Sequence, residues 1–274
     1  MTAEASMTVG VAEGRLIRSL VTDPGRPTLA GLVGARGGGG YRKALDVALP
    51  GERSAGTPLY YLLDDVAGCT LIAGFAWTRH GRSIGPGHTG QGGPVNRRLP
   101  VAGRVCAGLG PGSISFVRLE RDGEMGHNLT PAVEVAEPTD PWSWHAIEPA
   151  PAVCMRRRRR VDVAAIGDQI RVDAMFRDAC WDPDGTEESL HEYSLEATVD
   201  AATMVLSDIA VRARSLPFPD CQSAGSYVNK LVGTPMAELR TKVIEILAGP
   251  ECCTHLNDML RALAEVPVLA AQIA

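Results

Sequence analysis

The run from Gln169 to Val199 constrains the fold more than any other part of the chain, because apolar residues recur there at every second position. Ile170, Val172, Ala174 and Phe176 alternate with polar neighbours in the first half of the run. In the second half, Leu190 to Val199, the residues His191, Tyr193, Leu195, Ala197 and Val199 fall on one face and Glu192, Ser194, Glu196 and Thr198 on the other. A period of two marks a strand with one buried face. A turn at Asp182 to Gly185 separates the two runs. A further strand at about Arg157 to Ala164 precedes them, and Asp200 to Thr203 turns into another at Met204 to Ala213. The pattern predicts an antiparallel meander of four strands.

The segment beyond Ala213 reads as three helices. Asp220 is placed to cap the first, which runs to Gly233 through Ala224, Val228 and Leu231. Thr234 caps a second with Pro235 at its first position, and Gly249 and Pro250 end it. Thr254 caps the third, whose stripe is Leu256, Met259, Leu260 and Leu263. Strands succeeded by helices, without alternation, predict an α+β layer fold.

The chain has 274 residues, enough for two modules. Five prolines and two tryptophans between Pro131 and Pro151 mark an ordered linker, so the expected division is residues 1–150 and 156–274. Gly34 to Gly40 and Gly81 to Gly93 read as flexible surface loops in the first part. Tyr41 to Leu49 reads as a short helix, Leu59 to Trp77 as two apolar strands turning near Gly68, and Ser113 to Leu119 as another strand. The N-terminal half is thus expected to be mainly β. Leu59-Tyr60-Tyr61 echoes Leu190-His191-Glu192-Tyr193, and Leu99-Pro100 then Cys106 echoes Leu216-Pro217 then Cys221, as a degenerate repeat would.

Net charge is -5, which argues against nucleic acid as a partner, and Arg156 to Arg160 reads as a solvated strand edge. The most apolar stretch, Leu59 to Trp77, is interrupted by Asp64 and Asp65, so no membrane span is expected. Seven cysteines with no export signal read as reduced thiols of a cytoplasmic protein. Gly34 to Gly40 lacks the Gly-Lys-Ser/Thr ending of a phosphate loop, the acidic turn Asp182 to Glu188 reads as solvated, and His80, His88, His127 and His145 read as surface residues.

The chemistry-bearing residues lie at the helix starts. Cys221 sits in the first turn of one helix and Cys253 just before another, where unpaired amides favour a thiolate. His191 lies on the apolar strand face, and Cys252 and His255 flank Cys253. Read apart, these are core fillers; read together, His191, Cys221, Cys253 and His255 are candidate ligands for zinc or mononuclear iron. A metal-free alternative makes Cys221 or Cys253 a nucleophile with His191 as its base.

From Ile170 to Ala274 the chain resembles bacterial domain-of-unknown-function family 2889. The matching pieces are Leu190-His191-Glu192-Tyr193, Ala197-Thr198-Val199-Asp200, Leu216-Pro217 with Cys221, Leu231-Val232-Gly233-Thr234 and Cys253-Thr254-His255-Leu256-Asn257-Asp258. The same segment is more distantly similar to the iron–sulfur scaffold proteins of the IscU and NifU type. Cys221-Gln222-Ser223-Ala224, Leu231-Val232-Gly233 and Cys253-Thr254-His255-Leu256 keep to their order. That likeness implies a metal site, with His191 where a scaffold has its first cysteine and Tyr193 where it has an aspartate. The exchange suits zinc or a mononuclear metal better than a cluster. The resulting expectation is a metal-dependent enzyme acting on a small hydrophobic or aromatic metabolite, with His191, Cys221 and Tyr193 at the reaction. The alternative is a non-catalytic metal-binding carrier, and either leaves a homo-oligomer open.

Overall fold

A computed structural model describes residues 4–79, 106–122, 126–135, 139–140, 144 and 154–273. His80, His88, His145, the Gly81 to Gly93 loop, Leu99-Pro100 and most of the proline-rich linker lie outside the described residues. The chain divides into two compact units, Met1–Gly93 and Pro94–Ala274, so the division falls earlier than the linker.

The first unit opens with an antiparallel hairpin of β1 (Ser6–Ala12) and β2 (Leu16–Asp23). Helices α1 (Tyr41–Ala48), α2 (Pro50–Ala55) and α3 (Pro58–Arg79) come next. Its core gathers Ile17, Leu29, Leu32, Tyr41, Leu45 and Leu63. The expected helix at Tyr41 is present. The expected strand pair from Leu59 to Trp77 is instead the single helix α3, which corrects the mainly β reading of the N-terminal half. Apolar residues surround this helix, so its sequence carries no clear period, and length should have decided in favour of a helix. Gly68 lies inside it, at a cost of about 1 kcal/mol relative to alanine that burial offsets. Pro58–Ala76 is long and apolar enough to cross a membrane by length and composition. Half of that stretch is buried within the chain, and Asp64 accepts a bond from Arg42 at 3.1 Å. With a helix where a strand was expected, the echo of the Leu190 segment disappears.

In the second unit, α4 (Ile114–Asp122) takes the place of the strand expected at Ser113 to Leu119. The expected meander is present as β4 (Cys154–Ile166), β5 (Gln169–Trp181), β6 (Glu187–Asp200) and β7 (Leu206–Ser215), all antiparallel. A two-residue strand, β3 (Thr130–Pro131), continues the edge of β6 beyond the end of β7. The register sets Phe176 opposite Tyr193, Ala174 opposite Leu195, Val172 opposite Ala197 and Ile170 opposite Val199. These eight residues make one wall of a core closed by the C-terminal helices.

Those helical segments are a 3-10 run (Pro219–Leu231) and the helices α5 (Leu239–Ile246), α6 (Thr254–Ala262) and α7 (Val266–Ala270). The caps differ from expectation. Asp220 does not cap its own segment; its carboxylate accepts the backbone N–H of Ile114 at 3.0 Å and so serves the start of α4. Thr234 is used in backbone pairing instead, its carbonyl accepting the N–H of Leu206 at 3.0 Å. Cys253, not Thr254, is the N-cap of α6. The arginine run is no solvated edge either. Arg157 points into the protein, Arg158 pairs with Glu187 and Arg160 with Asp162.

Candidate functional site

The site grows from a break in the alternation of β5. Period two carries the buried face from Ile170 to Phe176 and then sets Asp178, a carboxylate, at the next apolar position. Asp178 is fully buried and lies opposite His191 in the ladder, beside a bulge between Asp178 and Ala179. A lone buried carboxylate is costly, and here Arg157 offsets that cost. Its Nε and Nη2 donate to the two carboxylate oxygens at 2.8 Å each, a two-pronged clamp. The third nitrogen, Nη1, donates to Asp258 on α6 at 2.8 Å, and the guanidinium carbon lies 4.8 Å from the Phe176 ring centre.

Helix α6 brings in His255, whose Nδ1 is 2.6 Å from Asp178 Oδ2. Burial alone would push the Asp178 carboxyl up. The Arg157 charge and the bonds from Arg157 and His255 more than reverse this and hold it well below the usual carboxylate range. An ionised carboxylate only accepts, so Nδ1 of His255 donates its hydrogen to Asp178. His191 stacks on His255, with ring centres 3.5 Å apart and planes inclined by 12°. Burial, and the neighbouring His255, depress the His191 pKa well below its ordinary value, so the ring is neutral at neutral pH. His127, expected at the surface, is partly buried and packs 4.9 Å from the Phe218 ring.

Two residues along the same face of β6, Tyr193 meets a group of thiols. Burial raises its pKa, and the thiols of Cys253, Cys221 and Cys106 lie close enough to raise it further. Cys106 reaches this group on a short turn (Ala107–Leu109), where the N–H of Ala107 donates to the carbonyl of Cys252 at 2.8 Å. Gly108 in that turn packs so tightly that a methyl group there would overlap the sulfur of Cys221. The thiols are not the thiolates expected at helix starts. Burial pushes Cys221 up to about 12 and Cys253 up to about 11, although the Tyr193 hydroxyl and the first amides of α6 act against it on Cys253. Magnitudes explain the reversal: a helix end contributes about 0.3–1 kcal/mol to a nearby charge, whereas burying an ion costs several.

His191 Nδ1 is buried without a partner, and the buried Tyr193 hydroxyl has only the weakly bonding Cys253 thiol beside it. Each unmade bond costs about 1–3 kcal/mol.

The structure therefore joins His191 with His255, and Cys221 with Cys253 and Tyr193, in two adjoining clusters. It does not arrange His191, Cys221, Cys253 and His255 as one ligand set. Lone pairs lie in the plane of an imidazole, so two stacked parallel rings cannot converge on one cation. Among the described residues, no group of three or more His, Cys, Asp or Glu side chains is placed to hold a metal ion. The residues as arranged do not fit zinc or iron.

Sequence reasoning missed Asp178, Arg157, Asp258 and Cys106. Asp178 was findable, since it interrupts an apolar face, whereas the other three meet the site only through the tertiary fold. Residues 155–269 match the model of a family described as protein of unknown function, DUF2889. No curated protein and no solved structure matches the chain, so the likeness to the IscU and NifU scaffolds finds no support there.

Proposed function

On the premise that residues 155–269 belong to the DUF2889 family, we propose that this unit is an acid–base enzyme acting on a small hydrophobic or aromatic metabolite. The observation that carries the reading is the 2.6 Å contact between His255 Nδ1 and an Asp178 held on both oxygens by Arg157. A carboxylate in that position fixes the imidazole tautomer and stabilises the imidazolium that forms when Nε2 takes a proton. His255 is the base, and Arg157 and Asp178 are positioning residues. The Tyr193 hydroxyl, kept protonated by its surroundings and faced only by a thiol, supplies a donor for negative charge developing on a substrate oxygen.

The reaction class is proton abstraction next to a carbonyl, which solvent exchange detects without knowledge of the product. Small aromatic and aliphatic ketones, esters and carboxylic acids are incubated with the protein in heavy water, and deuterium uptake at carbon is read by mass spectrometry. At least one compound should exchange with the wild type. Its rate should fall by about 10²–10⁴-fold in His255→Gln, with the thermal midpoint checked to confirm folding. Equal exchange by a folded His255→Gln variant, or none by the wild type across the panel, overturns the reading.

A further inference from the structure

The first unit holds a cleft of about 1130 Å³, none of whose lining residues belongs to the histidine or thiol clusters. One wall is β1, whose Met7, Val9 and Val11 share a face by the period of two. The other is α3, which presents Val66, Thr70, Ala73 and Gly74 at helical spacing. The small residues of that stripe leave the trough open, and its lining is mostly apolar.

One end differs. Arg15 and Arg36 both line it, each held by the other's loop: Arg15 donates to the carbonyl of Gly37, and Arg36 Nη1 to that of Gly14 at 2.9 Å. Thr70 also donates to the Gly37 carbonyl, at 2.6 Å, and ties this clasp to α3. The bonds satisfy backbone oxygens and leave the positive charge of both guanidiniums unneutralised, since neither arginine has an ion-pair partner among the described residues. Glu13 lies at the same end without pairing to either, so the three together leave a surplus of one positive charge. A guanidinium anchored through one edge keeps further N–H groups for an oxyanion.

We infer that this cleft binds an amphipathic organic anion, with a carboxylate or phosphate head on Arg15 and Arg36 and an apolar chain between β1 and α3. The volume exceeds that of a typical site for a compact metabolite, about 300–1000 Å³, and suits an extended chain. The inference is independent of the acid–base reading, because no residue is shared.

Calorimetric titration of the full chain with dodecanoate, dodecyl phosphate and dodecanol tests it. Both anions should bind, and the alcohol at least tenfold more weakly. Arg15→Met with Arg36→Met should bring the anions down to the level of the alcohol. Ala73→Phe, which fills the cleft from an exposed helix position, should abolish binding of all three with the thermal midpoint unchanged. Equal affinity for acid and alcohol in the wild type overturns the inference, as does undiminished binding to folded Ala73→Phe. Sedimentation with phosphatidylglycerol vesicles separates a membrane surface from a free ligand: vesicle capture without binding of the monomeric anions also overturns it.

Discussion

At the scale of single residues, His191 is an imidazole held neutral in a buried stack. Its folded pKa is depressed, so the unfolded chain takes up a proton that the folded chain refuses. Its stabilising contribution is complete above the unfolded value, about 6.5, and is lost as pH falls through and below it. His127 is depressed by burial and acts in the same direction. Asp178 also loses stabilisation as pH falls, but its window begins only below the ordinary carboxylate value of about 4. Between pH 6 and pH 5, the His191 proton should lower the unfolding free energy from urea titrations by about 1 kcal/mol per pH unit, with a smaller loss from His127 and an opposing gain from Glu265, whose buried carboxyl is pushed up to about 8. His191→Gln should lose one proton's worth of that slope, and an unchanged slope would contradict the neutral stack.

At the scale of elements, the clamp from β4 through Asp178 to α6 fastens the edge of the sheet to a helix. Arg157→Met leaves a buried carboxylate facing only His255 and should cost about 3–5 kcal/mol in denaturant unfolding. Adding Asp178→Leu should recover part of that loss, because it removes the uncompensated Asp178 charge, while Asp258 still lacks its Arg157 bond and His255 Nδ1 its acceptor. A single variant within about 1 kcal/mol of wild type would rule out the clamp as a structural tie. The same elements show what the sequence could reveal. The meander was legible to within a few residues because β5 and β6 bury one face and so repeat with period two. Helix α3 was not, since a helix apolar on every side erases its own periodicity. In the site, His191 and Tyr193 could be placed on the correct face from spacing alone. The contact of Arg157 with Asp178 and Asp258, 21 and 101 residues away, could not, and a run of arginines looks the same whether solvated or buried.

At the scale of the molecule, each unit has its own core, one around Tyr41 and Leu63 and one around Phe176 and Leu195. A fragment spanning residues 94–274 should fold alone, with cooperative thermal unfolding and the near-ultraviolet signal of packed aromatics. A fragment without a cooperative transition would show that the division is only geometric. Residues 155–269, the part matched by the family, lie within this fragment, so the acid–base assay can be repeated on it.

The missing side chain at Gly108 has a chemical consequence for Cys221. Oxidation to a sulfenic acid adds an oxygen atom to the sulfur, and the turn from Ala107 to Leu109 occupies the space where even a methyl carbon would collide with it. Peroxide meets a protonated, enclosed sulfur there, so this cysteine should resist oxidative damage for as long as that turn stays in place.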